Sequence, residues 1–197
     1  MTEPKRILAL TLARGGSKSV PRKNIRNIME VPLIAYTIVA GLRSQLIKRY
    51  VVSTDDEEIR QVAIQYGADA PFLRPKEYST DDASSVSAMQ HALAWVEKDE
   101  AVKYDYVIEL MCTNPMKTAE DIDACIQKLI DTGADSVIAV HQLEDHHPIR
   151  IKKIVDDKIV DFCLPEIPEM RRQDLKPDAY IRSGSIYALQ RDYLMVD

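Results

Sequence analysis

Glycine and cysteine are both scarce in this chain of 197 residues, with 6 glycines and 3 cysteines. Cys112, Cys125 and Cys163 are odd in number and far apart, which fits neither a disulfide framework nor a zinc site and points to a reducing cytoplasm. The glycines form neither Gly-x-x-x-x-Gly-Lys-[Ser/Thr] nor Gly-x-Gly-x-x-Gly, so the two commonest phosphate signatures are missing. No apolar run is long enough for a membrane helix, and the one near the start is too short for a signal peptide. A net charge of −5 argues against bulk nucleic-acid binding. Internal repeats and low-complexity tracts are absent. His91, His141, His146 and His147 suggest no catalytic base, and no cysteine or acid completes a metal set around the last three.

What remains is an ordinary globular composition, 46% hydrophobic and 29% charged, long enough for one domain with a full core. The stretch that organises it runs from Ile7 to Asn24. A continuous apolar run suits a strand buried on both faces of a parallel sheet. It breaks into a loop carrying Gly15, Gly16, Ser17 and four cations, Arg14, Lys18, Arg22 and Lys23. The glycines free the backbone to approach a ligand and offer N–H groups as an anion nest. The serine and the cations add donors and charge where phosphate oxygens would sit. The bland alternative is a solvated basic loop. The cations crowded against a buried strand favour nucleotide or phosphate binding.

Further along, Val31–Arg43 reads as a helix with Pro32 in its first turn. Lys48–Thr54 reads as a strand, and a helix with a Thr or Asp cap in Thr54–Asp56, Glu57 standing at capping-box distance from Thr54, follows to about Tyr66. Ala70–Pro75 is extended, and a capped helix is expected from Asp81. Tyr104–Met111 is a third strand, Thr118–Asp131 a helix and Asp135–Val140 a fourth strand. This order predicts an α/β fold, doubly wound around a mostly parallel sheet. A hairpin turning at Asp156–Asp157, a proline-rich connector, a strand over Tyr180–Leu189 and a short helix from Arg191 complete the chain.

Several segments together resemble the cytidylyltransferases that activate sialic acid and related nonulosonic acids, among them legionaminic and pseudaminic acid. They are Leu12-Ala-Arg-Gly-Gly-Ser-Lys-x-x-Pro-x-Lys-Asn24, Ser53-Thr-Asp-Asp-Glu-Glu-Ile59, Arg74-Pro with Asp81 and Ser85, Arg172-Gln-Asp-Leu175 and Gly184-Ser-Ile-Tyr187. They occur in that family's order over nearly the whole chain. The resemblance implies a nucleotide-diphospho-sugar transferase fold, and attack of an anomeric hydroxyl on the α-phosphate of CTP with release of pyrophosphate. Arg14, Ser17, Lys18 and Lys23 would hold the triphosphate, beside the backbone of Ala13, Gly15 and Gly16, with Arg14, Lys18 and Lys23 catalytic. Asn24, Arg74 and Ser85, with the backbone near Ala83, would read cytosine and ribose. Asp81 suits helix capping better than ligand binding, and Arg74 has an ordinary alternative as an ion-pair partner.

On the sugar side, Met111 stands where the family carries a glutamine and cannot make its hydrogen bonds. Thr113, Arg182, Ser183 and Tyr187 would face the sugar acid, and Arg172 would reach the neighbouring subunit's site in a homodimer. Residues 141–180 would form a dimerisation and substrate insertion in a single nucleotidyltransferase domain. Mg²⁺ is the implied cofactor, held in that family by an Asp-x-Asp stretch beyond the point where this sequence stops. No metal ligand is therefore assigned, and the C-terminal helix is expected to be missing. A cytidylyltransferase for 3-deoxy-manno-octulosonate, or a silent nucleotide-binding homologue, would carry much of the same pattern.

Overall fold

A computed structural model describes residues 4–166, 168–169 and 171–196. The chain forms two compact units, Met1–Ala139 with Gly184–Asp197, and Val140–Ser183. The expected insertion, 141–180, falls within the second.

The first half of the chain carries β1 (Ile7–Leu12), β2 (Asn27–Ile28), β3 (Val31–Pro32), α1 (Leu33–Arg43), β4 (Arg49–Ser53), α2 (Glu57–Gln65) and α3 (Ser85–Glu100). It continues through β5 (Tyr106–Leu110), α4 (Ala119–Thr132), β6 (Ser136–Leu143), β7 (Lys152–Val155), β8 (Lys158–Asp161), β9 (Ala179–Gln190) and α5 (Arg191–Leu194). The main sheet has the order β4-β1-β5-β9-β6. β1 runs parallel to β4 and β5, whereas β9 lies antiparallel to β5, with Glu109 opposite Tyr187.

Burial explains the apolar run that opens the chain. Ile7 and Ala9 pack with Ile34, Ile38, Ile122, Ile126 and Leu129 on one face of β1. Leu8 and Leu10 pack with Met89, Leu93 and Val96 of α3 on the other. Each such side chain contributes about 1.5–3 kcal/mol by leaving water. With helices on both faces, a strand of this sheet has no polar side to show, so its pattern is continuous instead of alternating.

Helix starts depart from the expected positions at α1 and α3. Val31–Pro32 pairs with Asn27–Ile28 as a short hairpin, so α1 begins at Leu33. At α2 the expected Thr or Asp cap is Asp56, accepting from the Ile59 N–H at 3.0 Å, while the Thr54 hydroxyl accepts from the Asp56 N–H at 3.1 Å. At α3 the cap is Ser84, accepting from the Ser87 N–H at 3.0 Å, and Asp81 lies outside the helix. The shorter serine side chain closes the first turn, which leaves the aspartate free for the pairing described below. α4 opens with a capping box, Thr118 with Asp121, and ends at Gly133 with φ 60°.

In the second unit, β7 and β8 form the expected hairpin. Asp156 and Asp157, at φ 49° and 60°, occupy the two left-handed positions that a tight hairpin turn requires. The His147 ring accepts from the Ile149 N–H through Nδ1 at 3.3 Å, so its Nε2–H donates to the Pro177 carbonyl at 2.8 Å.

Candidate functional site

A cavity of about 460 Å³ opens at the carboxyl ends of β1 and β5. Open α/β sheets place ligands there. One wall is the loop after β1, the second is the segment from Arg74 to the first turn of α3, and the floor is the end of β5 with Met111, Cys112 and Thr113.

Arg14, Ser17, Lys18, Lys23 and Asn24 all line the loop wall. Three expected loop features are corrected. Arg22 turns away to pair with Asp56 and Glu58 at the start of α2, so three of the four loop cations face the cavity. The Gly15 N–H donates to Asp55 Oδ1 at 2.9 Å and is not offered to a ligand. A Cβ on Gly15 would lie 2.6 Å from Asp56 Oδ2, so this glycine serves the close packing of the loop against α2. Ala13 is fully buried in the core, and neither it nor the two glycines lines the cavity.

Asn24 is a staple more than a probe. Its Nδ2 donates to the Arg14 carbonyl at 3.0 Å, and its Oδ1 accepts from the Cys112 thiol at 3.1 Å. Asp81 sits between two of the cations, 2.9 Å from Arg14 Nη1 and 2.5 Å from Lys18 Nζ. The hydrogen bond from Lys18, followed by the charges of Lys18 and Arg14, holds its carboxyl below the ordinary range. The expected capping role is therefore replaced by a carboxylate that supplies negative charge to the cations. Lys23 has no ion-pair partner among the described residues.

Arg74 is 5% exposed and forms no ion pair among the described residues, so the ordinary surface role does not apply. Its Nε donates to Ser79 Oγ at 3.0 Å, and its backbone N–H is fixed to the Thr54 carbonyl at 2.7 Å. Burial lowers its pKa, opposed by the Asp55 charge. Ser85 is the first residue of α3, and the Ala83 N–H is used by Thr80 Oγ1 at 3.1 Å.

The floor is set by β5. Met111 and Thr113 line the cavity, as expected of their positions. Behind them Lys117, 7% exposed, donates to Thr37 Oγ1 and the Met111 carbonyl at 2.8 Å and to the Asn114 carbonyl at 2.5 Å. Burial pulls its ammonium down to about 8. It fastens the turn and does not line the cavity. Tyr187 does not line the cavity either, and Arg172, Arg182 and Ser183 belong to the second unit. There Arg172 pairs with Glu144 at 3.1 Å and Asp145 at 3.4 Å.

The sequence reading passed over Tyr78, Thr80, Ser84, Cys112 and, above all, Glu109. Glu109 lines the cavity at 8% exposure and has no hydrogen-bond or ion-pair partner for its carboxylate among the described residues. Burial raises its pKa. A single charge inside Tyr106-Val-Ile-Glu-Leu110 was the signal that could have found it.

Among the described residues no group of three or more His, Cys, Asp or Glu side chains could hold a metal ion. The acids lining the cavity are Asp81, committed to two cations, and Glu109, alone on the floor. This donor set does not fit a resident magnesium site.

The chain matches the family described as Cytidylyltransferase over residues 8–192. It is 36% identical to the pseudaminic acid cytidylyltransferase of Campylobacter jejuni over 91% of this chain and 76% of that one. It is 40% identical to the CMP-N,N'-diacetyllegionaminic acid synthase of Legionella pneumophila over 68% of this chain and 57% of that one. Its fold is similar to a CMP:2-keto-3-deoxy-manno-octonic acid synthetase solved with CTP, with a TM-score of 0.70 and 23% identity over 96% of this chain and 76% of that one.

Proposed function

The chain belongs to the cytidylyltransferase family, and we propose that it transfers CMP from CTP to the anomeric hydroxyl of a sialic-acid-like nonulosonic acid, releasing pyrophosphate. The observation that carries this reading is the convergence of Arg14, Ser17, Lys18 and Lys23 with the buried Arg74 in one cavity at the carboxyl ends of β1 and β5. The printed names of the relatives supply the substrate class.

In the reaction the hydroxyl oxygen forms a bond to the α-phosphorus while the bond to the pyrophosphate oxygen breaks. Negative charge grows on the phosphoryl oxygens and on the leaving group. Arg14, Lys18 and Lys23 stand where they can meet that charge, and one such donor is worth roughly 10²–10³ in kcat. Arg14 and Lys18 must first exchange Asp81 for phosphate. Arg74, stripped of water and held by Ser79, offers its remaining donors to the base. Mg²⁺, as the implied cofactor, would arrive with the nucleotide, whose phosphates and waters supply most of its ligands.

The active form in this proposal is a cytoplasmic homodimer, with Arg172 serving the partner's site. The exposed Ile154, Ile159 and Phe162 of the second unit support an interface there. Among the described residues, no helix is long and apolar enough to cross a membrane.

The test is pyrophosphate release with Mg²⁺, each nucleoside triphosphate, and a panel of neuraminic, legionaminic, pseudaminic and 3-deoxy-manno-octulosonic acids. Turnover confined to CTP and one nonulosonic acid is expected. With that pair, Lys23→Ala should lose roughly 10²–10³-fold in kcat with its thermal midpoint unchanged. Undiminished turnover would remove Lys23 from the chemistry. A silent nucleotide-binding protein is the second reading, favoured by Met111 in place of a hydrogen-bonding side chain. CTP binding without release from any pair would select it.

A further inference from the structure

Glu109 is not required by the fold. Its neighbours Val107 and Leu110 are fully buried and apolar, and the face of β5 that it shares with Val107 packs on the α3 cluster. An aliphatic side chain would satisfy that position. The chain instead keeps a carboxylate there with no partner, although a buried charge is normally paired. It is not a stray surface acid, because it borders the ligand cavity.

Its place in the sheet narrows what it could meet. Glu109 pairs in register with Leu10, two residues before β1 hands over to the cationic loop. Along its own strand it shares a face with Met111, and Ser85 and Ala88 of α3 line the same cavity. It therefore lies between the wall that would hold the base, from Arg74 to Ser85, and the wall that would hold the triphosphate, from Arg14 to Lys23. The part of a nucleotide between base and phosphates is the ribose, which carries two adjacent hydroxyl donors. A carboxylate has only acceptors and matches such a diol. Dinucleotide-binding folds use an acidic side chain on a ribose hydroxyl in the same way.

We propose that Glu109 is the ribose-recognition residue of this cavity, its carboxylate accepting hydrogen bonds from the 2′ and 3′ hydroxyls of the bound nucleotide. This rests on the nucleotidyl-transfer reading above. It makes Glu109 a specificity determinant: a ligand lacking the hydroxyls leaves the carboxylate buried and unsatisfied, which penalises it more than a missing contact alone.

The test is calorimetric binding of CTP and of 2′,3′-dideoxy-CTP, without acceptor sugar, to the full chain carrying Glu109, E109Q or E109L. Unfolding curves accompany it; E109L should hold or raise the thermal midpoint, since it removes an unpartnered buried charge. The unmodified protein should bind CTP at least tenfold more tightly than the dideoxy analogue. E109L should bind the two within about twofold of each other, and E109Q, which keeps one acceptor, should fall between. An E109L protein that retains the full preference for CTP overturns the proposal. So does an E109L protein that binds CTP normally but, in the pyrophosphate-release assay, raises the KM of the sugar acid, which would assign Glu109 to the acceptor. Failure of the unmodified protein to bind CTP at all would overturn the transferase reading as well, so the two failures are distinguishable.

Discussion

Replacing Lys117 by methionine should alter how stability depends on pH. The wild-type ammonium is 7% exposed and makes three hydrogen bonds, to Thr37 and to the Met111 and Asn114 carbonyls. Burial lowers its pKa from 10.5 to about 8, a gap worth about 3 kcal/mol. Below pH 8 the group is charged whether the chain is folded or not, and the full desolvation cost is present. Between pH 8 and 10.5 the unfolded chain binds more protons than the folded one, so stability rises with pH. Above that window both states are neutral and the cost is gone. From pH 7 to pH 10 this single group should add about 2.5 kcal/mol to wild-type stability and nothing to Lys117→Met. Titrations remote from the site are common to both proteins and cancel in the difference; the Cys112 thiol, which the Lys117 charge pulls down, is removed from the comparison by making both proteins in a Cys112→Ala background. Urea unfolding followed by circular dichroism at half-unit pH steps would measure it. The lost hydrogen bonds shift the variant's curve by a constant, so the slope of the difference is the decisive quantity. Parallel curves across the window would refute the assignment of a desolvated ammonium at this site.

Two further outcomes follow from the loop. Gly15→Ala puts a methyl group 2.6 Å from Asp56 Oδ2 and 2.9 Å from its Cβ. The loop must then move off α2, and CTP affinity should fall at least tenfold with a smaller change in thermal midpoint; unchanged affinity would show that the loop position does not matter. Asp81→Asn frees Arg14 and Lys18. CTP should bind several-fold more tightly at low salt, with the gain shrinking at high salt because these groups are exposed. Weaker binding would mean that Asp81 positions the cations instead of competing for them.

Much of this was legible in the sequence because it rests on local rules. The apolar run opening at Ile7-Leu-Ala-Leu10 required burial on both faces and hence a strand flanked by others. Thr118 announced the start of α4, and the Asp156–Asp157 pair announced its turn. Three of the four loop cations, Arg74 and the floor residues Met111 and Thr113 do come together in one cavity. What could not be read was which of two plausible partners each polar group takes. Arg22 and Lys23 are neighbours in the chain, yet one is drawn to the acids at the start of α2 and the other is left facing the cavity. Asp81 and Ser84 are both good caps, and the choice depends on two cations more than sixty residues away. Glu109 was hidden for the opposite reason: hydropathy patterns average over a strand and discount its single exception.

The position of β9 has a consequence for how this protein is made. In the order β4-β1-β5-β9-β6, β9 inserts between two strands that precede it in the chain. Until residues 179–190 emerge from the ribosome, β5 and β6 each lack a neighbour and present open hydrogen-bonding edges. Late arrival of the central partner leaves an interval in which another nascent chain could pair with either edge. Arg191 then fastens the strand's exit, with its backbone N–H on the Asp105 carbonyl at 2.9 Å and its guanidinium on Glu97 at 2.8 Å. A truncation before Tyr180 should therefore aggregate during translation and yield no smaller soluble enzyme.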